Sequence, residues 1–429
     1  MKKLVALLTA ALLSIGIFAA CAQKAPASEV QAPSAPSALA EKKEPVELNF
    51  YYWDEIQKDS MDKIVQLFEA KNPHITVVPT IVPWGQYWTK LQTALPSGVG
   101  PDVFWMNDRL PEFVSANLIM DLQPSVDAKA IDVANFPAAL AGIFTVDGKL
   151  MAVPKDYSTI GIYYNKALFD KAKVAYPSDN WTWDEFLEAA KKLTVPGETF
   201  GFPATTSGQG CMNNFILQNN GALAGADGSV KVNSPETAEA IQFLYDMISV
   251  HKVSPTNVEM TENPPDTMFL AGKIAMISGG SWSVKDYAEV LGDNLGIAPL
   301  PKKAKQACVI SGLGFAGAAS TKHPEETKLF LEFCATQEAQ EAMAEVVIPA
   351  FSGADKKWLE NFPATLNTKA FVDASKYGMV LPPFKGNNNS VRKFYSDEIV
   401  KVWDGTKDVK TALADAEKLM NEEIAKLTK

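Results

Sequence analysis

The stretch "ITVVPTIVPWGQYWTKLQTALPSGVGPDVFWMND" (residues 75–108) contains an apolar strand, a helix and a second apolar strand. The helix ends at a Pro-Ser-Gly break, and "PDVFWMND" follows as a strand. A further strand-helix pair precedes it, because "VELNFYYW" (46–53) is a continuous apolar run and "SMDKIVQLFEAKNP" (60–73) has apolar residues at helical spacing. Strand, helix, strand, helix, strand in this order predicts βαβ units with a parallel sheet.

The same alternation returns further along the chain. "TIGIYYN" (159–165), "FGFPAT" (200–205) and "GKIAMISGG" (272–280) indicate strands, and so do "LGIAPLP" (295–301) and "QACVISGLGFAGAAS" (306–320). The spacing of Thr182 and Glu185 predicts a capping box, and Ser234-Pro235 predicts another helix start. "HPEETKLFLEFCATQEAQEAMAEV" (323–346) predicts a long helical region. Roughly 385 residues follow the N-terminal segment, which suggests two domains or one large bilobal body.

The N-terminal segment predicts export. Two lysines followed by the apolar run from Leu4 to Ala20 are typical of a signal peptide, here residues 1–20. "FAAC" (18–21) resembles a bacterial lipoprotein box, which predicts lipidation of Cys21; ordinary cleavage with a coincidental cysteine is the alternative. Residues 21–45 are rich in Ala, Pro and Ser without apolar periodicity, so we expect a flexible tether. No other apolar run approaches the length of a membrane span.

Composition excludes several functional classes. The formal net charge of −10 and the lack of a basic stripe argue against nucleic-acid binding. Three cysteines remain after Cys21, so at most one disulfide pair can form within the chain. The three histidines lie far apart in polar, loop-like contexts, which argues against a histidine-based metal or catalytic cluster. We therefore expect no cofactor and no metal ion.

Several segments together resemble the extracellular solute-binding proteins of ABC importers, in their carbohydrate-binding, maltose-binding-like branch. The resemblance rests on residues 87–107, on "VPKDYSTIGIYYNKALFDKAKV" with the following "WTWDEFLEAAKKLT" (153–194), on "GKIAMISGGSW" (272–282) and on residues 321–343. It implies an α/β protein with the two-lobed, type II periplasmic-binding-protein fold, each lobe a mostly parallel sheet flanked by helices, with the ligand in a cleft between the lobes.

The resemblance also implies three crossings between the lobes, near 155–157, 298–301 and 349–352. Lobe 1 is then residues 46–155 and 299–349, and lobe 2 is residues 156–298 and 350–429. The implied function is a lipid-anchored, monomeric component at the outer face of the cell envelope. It would capture a sugar or oligosaccharide by hinge closure and deliver it to membrane permease subunits. A non-sugar or acidic solute, such as a sugar phosphate, glycerol phosphate or uronate, is the alternative ligand.

The carboxyl ends of parallel strands form binding sites in such sheets, and this rule alone selects residues that follow three predicted strands. They are Trp53 and Asp54, Asn107 and Asp108, and Ser281 and Trp282. Sugars suit this set, because their C–H faces pack on aromatic rings and their hydroxyl groups pair with Asp, Asn and Arg side chains.

Other aromatic residues are candidates with core packing as the alternative. Trp84 and Tyr87 flank a helix start and could line the rim, and Tyr157 lies at the first crossing. Core packing is also open for Trp53 and Trp282. Trp181 and Trp183 bracket a helix cap, so we assign them a structural role.

The chain has only two arginines among its 40 basic residues, and each lies beside a predicted strand end or cleft segment. Arg109 follows Asn107 and Asp108, and Arg392 follows "GNNNS" (386–390), which contributes Asn388 as a further candidate. Because the guanidinium is a planar bidentate donor, we expect at least one arginine to contact the ligand; a surface or salt-bridge role is the alternative. If both face the cleft, an acidic sugar or a sugar phosphate becomes a candidate.

The segment "VISGLGFAGAAS" (309–320) contains a formal G-x-G-x-x-G, but the next helix starts only near Pro324, so a dinucleotide site is not expected. Instead we expect Gly312 and Gly314 to leave room for ligand beside a strand. A glycoside hydrolase using Asp54 and Asp108 as its carboxylate pair is the enzyme alternative. No hydrolase or nucleotide motif supports it, so we expect a binding protein, not an enzyme; a sensor or adhesin with the same fold is a further alternative.

Overall fold

The computed structural model describes residues 44–386 and 388–428, without the side chain of Asn388. The predicted signal peptide, Cys21 and nearly all of the tether lie outside these residues. The strands of the described part are β1 (Val46–Tyr52), β2 (Ile75–Ile81), β3 (Val103–Met106), β4 (Thr145–Val146), β5 (Lys149–Leu150), β6 (Val153–Ser158), β7 (Ile160–Asn165), β8 (Met276–Gly280), β9 (Leu295–Pro299), β10 (Cys308–Val309), β11 (Ser311–Gly317), β12 (Ile348–Pro349) and β13 (Gly378–Met379).

The helices of the described part alternate with these strands. They are α1 (Lys58–Lys71), α2 (Trp84–Ser97), α3 (Leu110–Ser115), α4 (Gln123–Asp127), α5 (Ala138–Ile143), α6 (Lys166–Ala172), α7 (Trp183–Leu193), α8 (Asn213–Gln218), α9 (Pro235–Ser249), α10 (Asn257–Glu262), α11 (Pro265–Leu270), α12 (Val284–Leu291), α13 (Pro324–Cys334), α14 (Gln337–Ala342), α15 (Asp355–Leu359), α16 (Lys369–Ala374), α17 (Asn388–Trp403) and α18 (Val409–Leu427).

The first sheet has six strands in the order β12-β6-β11-β3-β1-β2. Strands β1, β2 and β3 pair in parallel, as the βαβαβ pattern predicts. Strand β11 pairs antiparallel with both β3 and β6, and β12 pairs antiparallel with β6. The chain thus re-enters this sheet from distant parts of the sequence, which places the ends of β1, β3, β6 and β11 beside one another.

The second sheet corrects one prediction. Its order is β8-β7-β9, and both pairings are antiparallel, so a mostly parallel sheet is not found there. The predicted strand at residues 200–205 would have supplied the parallel neighbour, but only Phe200 forms a bridge, with Ile274. Pro203 cannot donate a ladder hydrogen bond, which is consistent with the strand not extending through it. The α/β fold class itself is confirmed.

Strands β6 and β7 connect the two sheets directly. Strand β6 ends at Ser158 and β7 begins at Ile160, so Thr159 alone separates them, and its hydroxyl donates to the Phe371 carbonyl at 2.6 Å. Side chains alternate along β7. Ile160 and Ile162 pack into the core around α7, α8 and α9, whereas Tyr163 joins the core on the opposite face. Both faces of this short sheet are therefore covered by apolar side chains.

The helix starts predicted from capping patterns are confirmed. Thr182 and Glu185 form a reciprocal capping box at α7, and the Ser234 side chain accepts from the Thr237 amide at α9. The long helix predicted over residues 323–346 is instead two helices. Helix α13 starts at Pro324 as expected, but Thr336 caps a second helix by accepting from the Ala339 amide.

The C-terminal helices are held together by a buried ion-pair cluster. The Glu398 side chain is 5% exposed and accepts from Lys401 and Lys407, each at 2.5 Å. Burial opposes ionisation of this carboxyl, but the two lysine partners outweigh burial and hold its pKa below the usual range. Lys407, in the loop between the helices, also pairs with Asp415 of α18 at 2.7 Å and so connects α18 to Glu398 of α17.

Candidate functional site

A cavity of about 650 Å³ lies where the ends of the two sheets meet. Its walls come from the end of β1, the start of α2, the end of β3, strand β6, the end of β8, strand β11 and helix α17. Of the residues that the sequence analysis selected, the lining includes Trp53, Asp54, Trp84, Asn107, Asp108, Tyr157, Ser281, Trp282, Gly312 and Arg392. The strand-end rule therefore locates residues that come together in space.

One wall is a cluster of aromatic rings. Trp53 follows β1 and packs edge-to-face on Trp84 at 5.1 Å, on Tyr87 at 4.9 Å and on Trp105 at 5.1 Å between ring centroids. These contacts hold the Trp53 ring half-buried with one side on the cavity. Trp84 is 53% exposed, so a large apolar surface faces the space that a ligand would fill.

A second aromatic surface comes from the other sheet. Trp282 follows β8 and is 39% exposed in the cavity wall. Its ring lies across the backbone of Gly280, where an added Cβ would fall 1.9 Å from the ring atom Cζ3. Residue 280 must therefore be glycine for the ring to hold this position.

Tyr157 forms part of the floor on β6. It is 7% exposed, so most of the ring packs in the core, while one part reaches the cavity. Burial raises the pKa of its hydroxyl well above the usual value, so the group is a neutral hydrogen-bonding phenol at physiological pH.

A polar network that the sequence analysis missed lies beside Tyr157. Lys155 is fully buried, and its Nζ donates to Asp156 Oδ2 at 2.5 Å and to Gln57 Oε1 at 2.6 Å. Gln57 Nε2 in turn donates to Asp54 Oδ2 at 2.7 Å. Asp54, Gln57 and Asp156 all line the cavity. The sequence feature that could have indicated this buried network is the Lys155-Asp156 pair inside the largely apolar "MAVPKDYSTIGIYY".

The polar residues after β3 lie at the cavity edge. The Asn107 side chain accepts from the Arg109 amide at 3.0 Å and so shapes the turn. The exposed Asp108 pairs with Arg392 of α17 at 3.4 Å, across the junction of the two lining segments. Asn389 extends this contact by donating to Glu112 Oε2 at 2.7 Å. Arg392 lines the cavity, and the expectation that at least one arginine contacts the ligand stays a prediction.

Two of the selected side chains, those of Tyr87 and Arg109, lie outside the cavity lining, and a third, that of Asn388, is not described. Tyr87 is fully buried, and its hydroxyl shares its donor between the carbonyls of Trp105 and Tyr51. It is therefore a core residue and not part of the rim. Arg109 stacks on the Trp88 ring at 4.8 Å and is absent from the lining. The condition for an acidic ligand, both arginines in the cleft, is therefore not met. Asn388 starts α17, but its side chain lies outside the described residues.

Two of the three glycines of β11, Gly312 and Gly314, differ from the expectation. Gly312 lines the cavity, but a Cβ there would approach the Asp156 carbonyl at 3.0 Å rather than open space. A Cβ on Gly314 would fall 2.8 Å from the Phe144 ring. Gly314 therefore faces the packed side of the sheet, where the Phe144 ring fills the space beside it, and this space is not available to a ligand.

The described residues contain neither a metal-binding cluster nor a membrane-spanning helix. No group of three His, Cys, Asp or Glu side chains there is arranged to hold a metal ion, and no helix there is long and apolar enough to cross a membrane. Cys211, Cys308 and Cys334 are buried and unpaired, and burial raises the pKa of each thiol.

Comparison with known proteins adds three relatives. The arabinooligosaccharide-binding protein of Halalkalibacterium halodurans is 26% identical over 61% of this chain, and the alignment spans 60% of that protein. The maltodextrin-binding protein of Bacillus subtilis is 27% identical over 83% of this chain and 82% of its own length. The structure of an ABC substrate-binding protein of Listeria monocytogenes in complex with cycloalternan is 27% identical, covers 89% of this chain and 100% of its own, and superposes with a TM-score of 0.82.

The family model for bacterial extracellular solute-binding proteins matches residues 52–341, which is well over half of the chain. The solved relative has the α/β, two-lobed fold that the sequence resemblance implied. This chain belongs to the bacterial extracellular solute-binding proteins.

Proposed function

We propose that this protein captures an uncharged sugar, most simply an oligosaccharide, and delivers it to the permease of an ABC importer. The observation that carries the proposal is the cavity, whose lining combines two exposed tryptophans, Trp84 at the start of α2 and Trp282 after β8, with carboxylates. Two separated aromatic surfaces suit an extended ligand with more than one sugar ring. The oligosaccharides named for the maltodextrin-binding and arabinooligosaccharide-binding relatives support the same class.

The charges of the cavity favour a neutral ligand over an anion. Its lining contains the carboxylates of Asp54, Asp108 and Asp156 against one guanidinium, Arg392, which Asp108 already pairs. The buried Lys155 is paired with Asp156. A sugar phosphate or a uronate would therefore enter a site with excess negative charge and no free cation among the described lining residues.

The pKa of a neighbouring carboxyl is raised in part by the same negative charge. Burial raises the pKa of Asp286, on the helix that follows Trp282, and the charges of Glu289 and Asp54 raise it further. Asp54 lies after β1 and Asp286 lies on the helix after Trp282, so the charge of one cavity wall acts on a carboxyl beside the opposite wall. The electrostatic environment supports a ligand that offers hydroxyl groups rather than a phosphate.

We propose closure of two lobes as the capture step. Residues 46–155 and 299–349 would form one lobe and residues 156–298 and 350–429 the other. Because β6 stays in the first sheet up to Ser158, the first hinge segment lies at Thr159, a few residues after the proposed boundary. Ligand favours the closed state because only that state contacts it from both lobes. The contacts of Arg392 with Asp108 and of Asn389 with Glu112 are the kind of polar contact that closure would form.

We also propose that residues 1–20 are removed, that Cys21 is lipidated and that residues 21–45 tether a monomeric protein to the outer face of the membrane, near its permease. In this account the protein catalyses no reaction. Incubation with a bound oligosaccharide, followed by chromatography for products, tests that part: turnover would favour the hydrolase alternative.

A tryptophan-fluorescence titration tests the proposed function. The panel contains four neutral oligosaccharides (maltotriose, arabinotriose, cellotriose and raffinose), glucose, and the anions glucuronate, glucose 6-phosphate and glycerol 3-phosphate. We expect saturable quenching or enhancement with at least one neutral oligosaccharide and none with the anions, because Trp53, Trp84 and Trp282 line the cavity. Saturation by the anions alone would contradict the proposal.

A further inference from the structure

The buried Lys155 does not reach the cavity and uses two of its three hydrogen-bond donors within the protein. A lysine ammonium carries three donors and no acceptor. Two of them reach Asp156 Oδ2 and Gln57 Oε1, and the Nζ atom also lies 4.2 Å from the centroid of the Trp105 ring. The side chain is 0% exposed and does not line the cavity. It therefore acts only through the residues around it.

Lys155 fixes which way the Gln57 amide points. Because the ammonium can only donate, the amide oxygen of Gln57 must face it, and the amide nitrogen then faces Asp54. Asp54 Oδ2 receives that donor at 2.7 Å, while Oδ1 accepts from the Ile56 amide at 3.1 Å. The orientation of one cavity carboxylate is thus set by a cation behind the wall.

The second carboxylate is fixed in the same way. Asp156 Oδ2 accepts from Lys155, and Oδ1 accepts from the Leu313 amide at 3.2 Å. A carboxylate has about four lone-pair sites, so each of the two groups keeps acceptor capacity towards the cavity. Both carboxylates are held in place by donors of the protein, and their remaining lone pairs give this part of the wall hydrogen-bond acceptors.

We propose that Lys155 is a positioning residue that holds Asp54 and Asp156 as paired acceptors for the hydroxyl groups of an uncharged polyol. The inference rests on the proposed function and goes beyond it, because it assigns the selection of hydroxyl donors over anions to a residue that does not touch the ligand. Pre-ordered acceptors bind without an ordering cost, which raises affinity for a ligand that presents donors at matching positions.

The decisive variant is Gln57→Glu, which keeps size and shape. Its carboxylate still accepts from Lys155, so we expect the fold and the thermal midpoint to be retained. It has no donor for Asp54 and places a like charge beside it, so affinity for a neutral oligosaccharide should fall about 10- to 100-fold, the loss of one hydrogen bond to a charged group. The probe is the one of the four panel oligosaccharides that binds the wild type most tightly, for example maltotriose.

A second substitution gives the test a readout that a purely structural role would not move. In the double variant Gln57→Glu with Asp54→Asn the pair is reversed, because the amide introduced at position 54 can donate to the new carboxylate at position 57. We expect the double variant to bind the probe more tightly than Gln57→Glu alone. The matched control is Gln242→Glu, whose Nε2 donates to Asp246 at 2.7 Å on the exposed face of α9, far outside the lining; it should bind as the wild type does.

Lys155→Met serves as the direct deletion. It leaves Asp156 buried without its partner, so a lower thermal midpoint is expected together with weaker binding. Wild-type affinity in Gln57→Glu, or a double variant weaker than the single one, would overturn the inference while leaving the proposed function intact. Failure of the wild type to bind any neutral oligosaccharide would instead contradict the proposed function, and the inference with it.

Discussion

Removing the Trp282 ring should weaken sugar binding by a predictable amount. Trp282 is 39% exposed, and an aromatic side chain buries about 150–250 Å² when fully covered, so about 60–100 Å² of this ring is available to a ligand. At about 25 cal/mol per Å², covering that area contributes about 1.5–2.5 kcal/mol. Trp282→Ala should therefore raise the Kd of a bound oligosaccharide about 10- to 70-fold.

The assay is isothermal titration calorimetry of wild type and Trp282→Ala with the same oligosaccharide. Because more than half of the residue is buried, the thermal midpoint should also fall, so both proteins are titrated well below their midpoints. The matched control is Tyr176→Ala, which removes an aromatic ring of similar exposure, 44%, that does not line the cavity. An unchanged Kd for Trp282→Ala, or an equal loss in Tyr176→Ala, would refute the assignment of this ring to the binding surface.

Three further variants test the geometry and charge of the molecule. Gly280→Ala places a methyl group in the space of the Trp282 ring, so it should weaken oligosaccharide titrations about as much as ring deletion does; unchanged affinity would show that the ring can shift at no cost. Asp108→Asn leaves Arg392 without its anionic partner, and we expect measurable binding of glucuronate where the wild type shows none; continued absence would argue against Arg392 facing the ligand. Glu398→Gln should lower the free energy of unfolding at pH 7 by about 1–3 kcal/mol in urea titrations. The pKa of Glu398 is lowered in the folded state, so its contribution is present above the unfolded pKa of about 4.3 and is lost as pH falls through the folded pKa. The variant should therefore lose less stability than the wild type between neutral and acid pH, and parallel curves would contradict this reasoning.

The sequence was sufficient for features that depend on local patterns. The βαβαβ unit at residues 46–106 follows from apolar periodicity and its breaks, and the caps at Thr182 and Ser234 follow from short-range hydrogen bonding. The rule that ligands lie at strand ends located Trp53, Asn107 and Trp282 in one cavity without knowledge of the pairing.

Features that depend on distant pairing could not be obtained in this way. The antiparallel second sheet is set by which of the strands β7, β8 and β9 lie beside one another, and periodicity does not encode direction. The role of Gly314 depends on Phe144, more than a hundred residues away in sequence. A glycine in a strand pattern indicates that another group packs closely against the backbone, but it does not show whether that group is a ligand or a side chain of the protein.

The buried network was missed for a different reason. Lysine is almost never fully buried unless it is paired, so the Lys-Asp step on β6 is read by default as exposed. Its burial depends on Gln57 and Trp105, which meet it only in the folded sheet. The choice between rim and core for Tyr87 was left open for a similar reason, because the carbonyl groups around its hydroxyl in the core come from two separate strands.

The most direct test of the central claim is a crystal structure of the protein with the neutral oligosaccharide that binds it most tightly. The account predicts the sugar inside the cavity, with ring faces against Trp84 and Trp282 and hydroxyl groups donating to Asp54 and Asp156. A sugar bound elsewhere on the molecule, or bound in the cavity without contact to either tryptophan, would contradict it.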